Sequence, residues 1–366
     1  MRKEFVNIHQ PDPQSATRFF YSPLTGIKIA NLHDHHQIIK AAFKTTAFIL
    51  TMLALAVSIS GIQTGTETKQ MSNQEIKLIR DFLAASPDTD RMTLEERRAY
   101  FNSLDQQFPT PQDVRVEPVT ANGVRAEWVK AADASDERVI LYLHGGGYIV
   151  GSPTSHRHLV AELSRASLSA ALSVDYRLAP EHPFPSAVED AVSAYRWLIN
   201  TGVASERIVI AGDSAGGGLT VATMVSLRDQ SVALPAGGVC ISPWTDLTLT
   251  AESYKAKAAA DPMINRDQLA MMAAAYLGGA DARTPLASPL FADLRRLPPL
   301  LVHVGSDEVL LDDSLLLAER ASLAGVDTTL EVWDDMIHVW HFFHPMLKAA
   351  RDAIESAAQF VRERAQ

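Results

Sequence analysis

The chain has 366 residues, of which 47% are hydrophobic, and this is enough apolar material for one large domain with a substantial core. Its formal net charge of -10 and the lack of a basic stripe exclude the electrostatic footprint of a nucleic-acid-binding protein. The single cysteine, Cys240, excludes an intrachain disulfide and a cysteine-based zinc site. It fits a reducing compartment, so a cytoplasmic location is expected.

The first 70 residues differ in character from the rest. Residues 45–66 carry no charge and have the composition of a marginal membrane span or of the apolar part of a signal sequence. With that role the protein would be exported or membrane-anchored. Alternatively, residues 1–70 are an upstream segment or a loosely held extension, because an amphipathic pattern begins at Met71. The membrane or signal role and this alternative both stay open. The same part holds three histidines that we interpret as a polar loop rather than a metal site, because no carboxylate partner is evident: His33, His35 and His36.

From Arg115 onward, short apolar runs alternate with helical patterns, after an opening hairpin predicted around Asn122-Gly123. The predicted strands are "RVILYLHGG", "LSAALSVDYR", "RIVIAG", "AGGVCISP", "LPPLLVHVGS" and "TTLEVW". The predicted helices are "LVAELSRAS", "AVEDAVSAYRWLI", Ser214 to Leu227, "SLLLAERASLAG" and "AARDAIESAAQFVRER". This alternation predicts an α/β fold with a mainly parallel sheet and helices on both faces. Active sites of such folds form at the carboxyl ends of the strands.

Two helical segments interrupt the alternation. Residues 71–110 are charged and amphipathic, and residues 246–281 insert further helix between two strands. We expect both to fold together as a helical cap over the carboxyl edge of the sheet. The predicted organisation is therefore an extension over residues 1–70, the first part of a cap, and an α/β domain over residues 111–366 that carries the insertion.

The segment "GDSAG" places Ser214 between a predicted strand and a predicted helix and matches the nucleophile elbow G-x-S-x-G. A serine at so sharp a turn takes a strained backbone angle, and its neighbours two positions away, Gly212 and Gly216, must lack side chains. A phosphate-binding loop is excluded, because that motif needs Lys and then Ser or Thr after its last glycine, where this chain has Leu219.

A serine that attacks a carbonyl needs hydrogen-bond donors for the oxyanion. The segment "HGGG" follows a predicted strand at the position where such a loop belongs. The amides of Gly146 and Gly147, joined by that of Ala215, are the predicted oxyanion hole. We expect His144 to organise this loop rather than to transfer protons.

The serine also needs a base and a carboxylate that orients the base. Asp307 follows one strand and His338 follows the last, and both belong to the same edge as Ser214. Other candidates are present: Glu308, Asp312 and Asp313 for the acid, and His341 and His344 for the base. Asp312 and Asp313 suit a helix start, and His341 and His344 suit packing in an aromatic stretch. A metal site built from His338, His341 and His344 is not expected, because no carboxylate completes the set of ligands.

The motifs "HGGGY", "DYRLAPEHPFPSAVED", "GDSAGGGL", "SPWTDLT" and "SDEVLLDD" together resemble the hormone-sensitive lipase family of bacterial α/β-hydrolases. The resemblance runs from about Met71 to the C-terminus. It implies the α/β-hydrolase fold with a two-part cap, and carboxylester hydrolysis with Ser214, Asp307 and His338 as the catalytic triad. It implies no metal and no organic cofactor.

The expected reaction is acyl transfer to Ser214 and then to water, on small to medium esters, at or above neutral pH. An amidase and a non-catalytic ligand-binding protein on the same fold stay open as alternatives. The expected partner is a small-molecule ester, and a homodimer is an open expectation. Five residues are candidates for substrate binding: Tyr148, Asp213, Trp244, Met263 and Trp340. Three charged residues are expected to brace the loops beneath the oxyanion hole: Asp175, Arg177 and Glu181.

Overall fold

The computed structural model describes residues 17–20 and 74–366. The uncharged run at residues 45–66 and the histidines at positions 33, 35 and 36 lie outside the described residues. A nine-stranded sheet forms the centre of the described chain. Its strands are β1 (Thr17–Phe20), β2 (Val114–Ala121), β3 (Val124–Ala131), β4 (Ser135–Leu143), β5 (Ser169–Asp175), β6 (Ile208–Asp213), β7 (Gly237–Ile241), β8 (Leu300–Gly305) and β9 (Thr328–Trp333).

The strand order is β1-β9-β8-β7-β6-β4-β5-β3-β2. The six strands from β9 to β5 in this order run parallel to one another. Strands β6, β7 and β8 are buried along their whole length, as expected for parallel strands that are covered on both faces. The predicted mainly parallel sheet is thereby confirmed.

Antiparallel strands lie at both edges of the sheet. The hairpin of β2 and β3 turns at Asn122 and Gly123, which both have positive φ angles of 50° and 88°. Two such residues in succession are typical of the tight turn that suits the twist of a hairpin, so this prediction is confirmed. At the other edge β1 pairs antiparallel with β9. This strand falls within residues 1–70, where the sequence predicted none.

Helices cover both faces of the sheet. In chain order they are α1 (residues 74–84), α2 (Leu94–Asn102), α3 (Leu104–Gln107), α4 (Pro153–Ser167), α5 (Ser186–Asn200), α6 (Ala215–Asp229), α7 (Ser253–Ala256), α8 (Arg266–Leu277), α9 (Leu311–Leu323) and α10 (Lys348–Arg364). Helices α5, α6 and α9 share one apolar core with the sheet, and α4 and α10 share a second core. Across residues 17–20 and 74–366, the helices include none with the length and apolar character that a bilayer crossing needs.

The N-terminal helices and the insertion that carries α7 and α8 contact each other. Arg80 of α1 donates from Nη1 to the carbonyl of Ala260 at 2.7 Å. Gln268 of α8 donates to Asp90 Oδ1 at 2.7 Å. Helix α8 starts at a capping box on Asn265, which fixes where the insertion becomes helical. The two segments that interrupt the strand–helix alternation therefore pack together.

Candidate active site

Ser214 occupies the single residue between β6 and α6. Its backbone angles are φ 53° and ψ -120°, a conformation that costs free energy and that is characteristic of functional turns. A Cβ atom on Gly212 would overlap the carbonyl of Gly216, and one on Gly216 would overlap the carbonyl of Leu143. The two flanking glycines are therefore required by close backbone approach, as the elbow motif predicts.

A continuous chain of hydrogen bonds joins Ser214 to a histidine and a carboxylate. Ser214 Oγ lies 3.0 Å from His338 Nε2, and His338 Nδ1 lies 2.8 Å from Glu308 Oε2. Ser214 keeps 8% of its surface exposed, whereas Glu308 is fully buried. The three residues follow β6, β9 and β8, so the parallel strands bring them to one edge of the sheet.

The second carboxylate oxygen of Glu308 also accepts hydrogen bonds. Oε1 accepts hydrogen bonds from Ser242 Oγ at 2.9 Å and from the amide of Gly305 at 2.6 Å. Ser242 Oγ in turn accepts a hydrogen bond from the amide of Val339, next to His338, at 3.1 Å. Hydrogen bonds to both oxygens of a carboxylate fix its direction. The sequence analysis assigned no part in the site to Ser242.

The prediction that Asp307 is the carboxylate partner of His338 is wrong. Asp307 points instead toward the N-terminal helices, where Oδ2 lies 2.9 Å from Arg80 Nη2 and Oδ1 lies 3.8 Å from Lys257 Nζ. Its side chain is 28% exposed. The two candidates are adjacent just beyond β8, and the sequence locates the end of a strand only to within one or two residues. The turn after Gly305 directs Glu308 inward and Asp307 outward.

The remaining acid candidates hold the insertion. Asp312 Oδ2 accepts a hydrogen bond from the amide of Ser253 at 2.8 Å. Asp313 is buried and accepts hydrogen bonds from the amide of Thr245 at 2.8 Å and from the hydroxyl of Tyr254 at 2.7 Å. Burial raises the pKa of Asp313 to about 7, against these hydrogen bonds. Both acids lie in the first turn of α9, but they bind the segment after β7 instead of capping α9.

The remaining histidine candidates also lie away from Ser214. His341 Nε2 is 3.1 Å from His303 Nδ1, and burial, followed by the charge of His303, keeps the pKa of His341 well below its usual range. The ring of His344 stacks on that of His158 with centroids 5.6 Å apart. Within the described part of the chain, no group of three or more His, Cys, Asp or Glu is arranged to hold a metal ion.

Several opposing effects set the pKa of His338. Burial lowers it, because an imidazolium is poorly solvated in the interior. The hydrogen bond and the negative charge of Glu308 raise it, and the charges of Asp261 and Asp213 add to this effect. The net result is a pKa above the ordinary value of 6.5. The surroundings of His338 therefore stabilise the imidazolium that forms when the ring accepts a proton.

The loop after β4 lies against the residue before the serine, where the amide of Gly145 donates to Asp213 Oδ1 at 3.0 Å. Gly146 and Gly147 have φ angles of 110° and 60°, which only glycine adopts without strain. Among the described residues, neither of these two amides donates a hydrogen bond to a backbone carbonyl. Ala215 is the first residue of α6, and its amide is one of the four that have no acceptor within a helix.

Asp213 supports this loop rather than lining a pocket. Its Oδ1 accepts hydrogen bonds from the amide of Gly145 at 3.0 Å and from the hydroxyl of Tyr142 at 2.7 Å, and Oδ2 lies 3.3 Å from His156 Nε2. Burial raises the pKa of Asp213, but these partners outweigh burial and lower it. The prediction that Asp213 binds substrate therefore needs correction, because its oxygens are already engaged below the loop.

His144 is the first residue of the same loop. Its Nδ1 lies 2.8 Å from the carbonyl of Gly145, and its ring stacks on Tyr176 with centroids 4.2 Å apart. Burial lowers the pKa of His144 to about 3, so its ring is neutral at physiological pH. This geometry agrees with the expectation that His144 organises the loop.

The three aromatic residues predicted to bind substrate belong to the core. Trp244 and Trp340 are fully buried, and Tyr148 is nearly so and stacks on Tyr276 with ring centroids 3.7 Å apart. They expose almost no surface, and their contact with substrate stays a prediction. Met263 is partly buried and packs against the core cluster that contains Trp340, and a role for Met263 in binding stays a prediction.

A cavity of about 750 Å³ lies between the N-terminal helices and the insertion. Its lining includes Met92 and Leu94 from the N-terminal part, Met271 of α8, and Ile149 of the loop after β4. Ser214 is not among its lining residues. Closer to the serine, Met272 of α8 lies against Gly147, where its sulfur fills the space that a Cβ atom would take.

Of the three charged residues predicted to brace the loops, Glu181 does so through a partner that was not predicted. Arg98 of α2 makes a bidentate ion pair with Glu181 at 2.7 and 2.8 Å. It also donates to the carbonyls of Ile149 and Ala179, both at 2.9 Å. A single guanidinium thus connects the N-terminal helices to the ends of two loops, because its fixed fork of donors reaches several acceptors.

The other two charged residues of that prediction make ion pairs away from the loop after β4, one with a residue of α5 and one across neighbouring strands. Arg177 pairs with Asp190 at 2.8 Å, and Asp175 pairs with Arg125 at 2.8 Å.

Comparison with known proteins gives consistent matches. A family model described as the alpha/beta hydrolase fold matches residues 140–342. An acetyl-hydrolase of Streptomyces hygroscopicus is 46% identical over 296 residues, which cover 80% of this chain and 97% of that protein. An esterase of Acinetobacter venetianus is 36% identical over 264 residues, which cover 72% of this chain and 87% of that protein.

Solved structures match over a similar share of the chain. The crystal structure of an esterase from the bacterial hormone-sensitive lipase family has a TM-score of 0.77 and 47% identity, and the match covers 81% of this chain and 99% of that one. An esterase/lipase from an uncultured bacterium has a TM-score of 0.76 and 52% identity, with 80% of this chain and 98% of that one covered. These relatives are matched over nearly their whole length.

Proposed function

The chain belongs to the α/β-hydrolase family, in which it is a serine carboxylesterase similar to the bacterial hormone-sensitive lipases, and we propose that its catalytic residues are Ser214, His338 and Glu308. The observation that carries this assignment is the unbroken chain of hydrogen bonds from Ser214 Oγ through the imidazole to the buried carboxylate. This arrangement has the geometry of a nucleophile, a general base and an orienting acid.

In the first half of the reaction, Ser214 Oγ attacks the carbonyl carbon of the ester while His338 Nε2 takes the hydroxyl proton. Glu308 accepts a hydrogen bond from His338 Nδ1, which keeps the basic nitrogen directed at the serine. The imidazolium then gives its proton to the departing alcohol oxygen, and the acyl group remains bound to Ser214. The carboxylate stabilises the positive ring throughout without itself taking a proton.

In the second half, His338 removes a proton from water as the water oxygen attacks the acyl carbon. The bond from that carbon to Ser214 Oγ then breaks, Oγ takes the proton back from His338, and the carboxylic acid leaves. The negative oxygen that forms in each half is bound by the amides of Gly146, Gly147 and Ala215. Removing one such donor from a serine hydrolase typically reduces the rate by about 100- to 1000-fold. The hydrogen bond from the Gly145 amide to Asp213 supports this assignment, because it fixes the loop from below.

The substrates are small-molecule esters, and we propose short to medium acyl chains. Helix α8 of the insertion lies over the loop that would bind the oxyanion, and Met272 occupies the space beside Gly147. This contact limits the room next to the reacting carbonyl. The name of the relative from Streptomyces hygroscopicus, an acetyl-hydrolase, supports a small acyl group. The relatives do not favour an amidase or a non-catalytic binding protein.

We propose that residues 71–110 and the insertion at residues 246–281 form the cap. Their mutual contacts support this assignment: the hydrogen bond of Arg80 to Ala260 and that of Gln268 to Asp90. The expected homodimer stays a prediction that analytical ultracentrifugation of the full chain tests. The location of the protein stays a prediction as well, and fractionation of cells that express the full chain or a chain begun at Met71 tests it.

The decisive experiment offers nitrophenyl esters of graded acyl length to the wild type and to Ser214→Ala. We expect hydrolysis that falls with chain length in the wild type and that is lost in the variant. Mass spectrometry after organophosphate treatment gives a second readout, in which the adduct is expected on Ser214. Equal rates in both proteins, or an adduct on another serine, would reject the assignment.

A further inference from the structure

Asp261 of the insertion is a buried carboxylate beside the catalytic acid. It lies between α7 and α8 and exposes only 8% of its surface. Its Oδ2 accepts a hydrogen bond from the amide of Val309, the residue after Glu308, at 3.0 Å. Its Oδ1 accepts hydrogen bonds from the amides of Met263 at 2.9 Å and Ile264 at 3.2 Å. One side chain thus ties a turn of the insertion to the peptide that carries Glu308.

Two other contacts fasten the insertion to the same peptide. The hydroxyl of Ser253 donates to the carbonyl of Val309 at 2.6 Å, so the insertion holds both polar groups of that residue. Arg80 bridges the carbonyl of Ala260 and the carboxylate of Asp307 at 2.7 and 2.9 Å. The position of Glu308 therefore depends on segments outside the central sheet.

The charge of Asp261 also acts on the imidazole. The negative groups that act on His338 are Glu308 from the loop after β8, Asp213 from the end of β6, and Asp261 from the insertion, and all three raise the pKa of His338 against burial. Burial, the largest effect, and the charge of Glu308 raise the pKa of Asp261 above its ordinary value, against the charge of His338 and the hydrogen bonds from the amides of Val309 and Met263, which lower it.

We propose that Asp261 is a positioning residue of the triad, which holds Glu308 against His338 and places a second negative charge near the imidazolium that forms during catalysis. This inference rests on the proposed function. It makes the insertion part of the catalytic machinery as well as a cover for the site. A turn alone does not need such burial, because the exposed Asp281 accepts a hydrogen bond from the amide of Arg283 at 2.9 Å in the same local geometry.

Asp281 supplies the matched control. Asp261→Asn and Asp281→Asn make the same chemical change in two turns of one insertion. We would measure kcat, KM and the pH profile of kcat/KM with a short nitrophenyl ester. The enzyme concentration used for kcat and kcat/KM would be that of active sites, measured as the fraction of Ser214 that an organophosphate labels. For Asp261→Asn we expect kcat to fall by about 10- to 100-fold with little change in KM. The acid limb should move to lower pH by about half a unit or more.

Asp281→Asn should match the wild type in each quantity. We expect kcat of Asp261→Ala to fall at least as far as that of Asp261→Asn. If Asp261→Ala does not fold, the test rests on Asp261→Asn, which keeps the size of the side chain. A merely structural role would lower thermal stability and the labelled fraction but would leave the pH profile of the labelled enzyme unchanged, and that result would overturn the inference.

A double substitution adds a test of mechanism. If Asp261 acts through Glu308, then Asp261→Asn should reduce kcat much less in a Glu308→Gln background than in the wild type. Fully additive losses would contradict the inference. Turnover that persists in Ser214→Ala would instead reject the proposed function, so the two failures are distinguishable.

Discussion

Substituting Glu308 and Asp307, the two adjacent acids after β8, tests which of them is the carboxylate partner of His338. In Glu308→Gln, the amide group keeps the size of the buried side chain but replaces one acceptor with a donor. If its oxygen faces His338, its NH₂ group meets the Gly305 amide, which also donates. If its NH₂ group faces His338, the imidazole adopts the tautomer that cannot accept the proton of Ser214.

Loss of the correct tautomer in a serine hydrolase costs about 10⁴-fold in kcat, which is about 5 kcal/mol of transition-state stabilisation. Asp307→Asn removes only a partly exposed ion pair with Arg80, at 2.9 Å and 28% side-chain exposure. Such pairs contribute about 0 to 1 kcal/mol to stability. We therefore expect kcat of Asp307→Asn to stay within about 5-fold of the wild type.

The assay is steady-state hydrolysis of a short nitrophenyl ester, with circular dichroism to verify the fold of each variant. A folded Asp307→Asn variant that is less active than Glu308→Gln would refute the reasoning from the hydrogen bonds.

Other consequences of the structure can be measured in the same assay. The raised pKa of His338 places the acid limb of kcat/KM above pH 6.5, with activity lost below it because an imidazolium cannot accept the serine proton; a limb at pH 5 would contradict this. Gly216→Ala should abolish the folded active site, since its methyl group would overlap a backbone carbonyl of β4; soluble protein with wild-type kcat would be unexpected. Asp213→Ala should lower kcat by about 10- to 100-fold, because it leaves the Gly145 amide without its carboxylate acceptor, and unchanged kcat would show that the loop keeps its conformation without this hydrogen bond. Arg98→Ala should lower the free energy of unfolding by about 1.5 to 3 kcal/mol in urea denaturation, because the part-buried carbonyls of Ile149 and Ala179 lose a charged donor, whereas the ion pair with the exposed Glu181 adds little; a change within error would remove Arg98 as a brace.

The sequence was sufficient for the architecture because local chemistry decides it. The strand after Arg207 and the helix after Ser214 are separated by one residue, and the glycines around that residue have no other reason to cluster. The turn at Asn122-Gly123 is similarly specified by two residues that tolerate positive φ. Such features are encoded within a few positions and need no knowledge of distant contacts.

Features that depend on distant contacts were not accessible in the same way. Asp307 and Glu308 differ in sequence by one position, and only the turn after β8 determines which of them meets His338. Trp244 and Trp340 follow the carboxyl ends of strands, as pocket residues do, but both pack into apolar clusters. Composition cannot separate a buried aromatic residue from one that lines a pocket.

The most direct test of the central claim is to trap the acyl-enzyme. A short nitrophenyl ester would be mixed with the wild type, quenched in acid within the first turnover, digested and analysed by mass spectrometry. The account predicts an acyl group on the peptide that contains Ser214, no acyl group in Ser214→Ala, and accumulation slowed by about 10⁴-fold in Glu308→Gln. Turnover without any acylated peptide, or acylation at another residue, would contradict it.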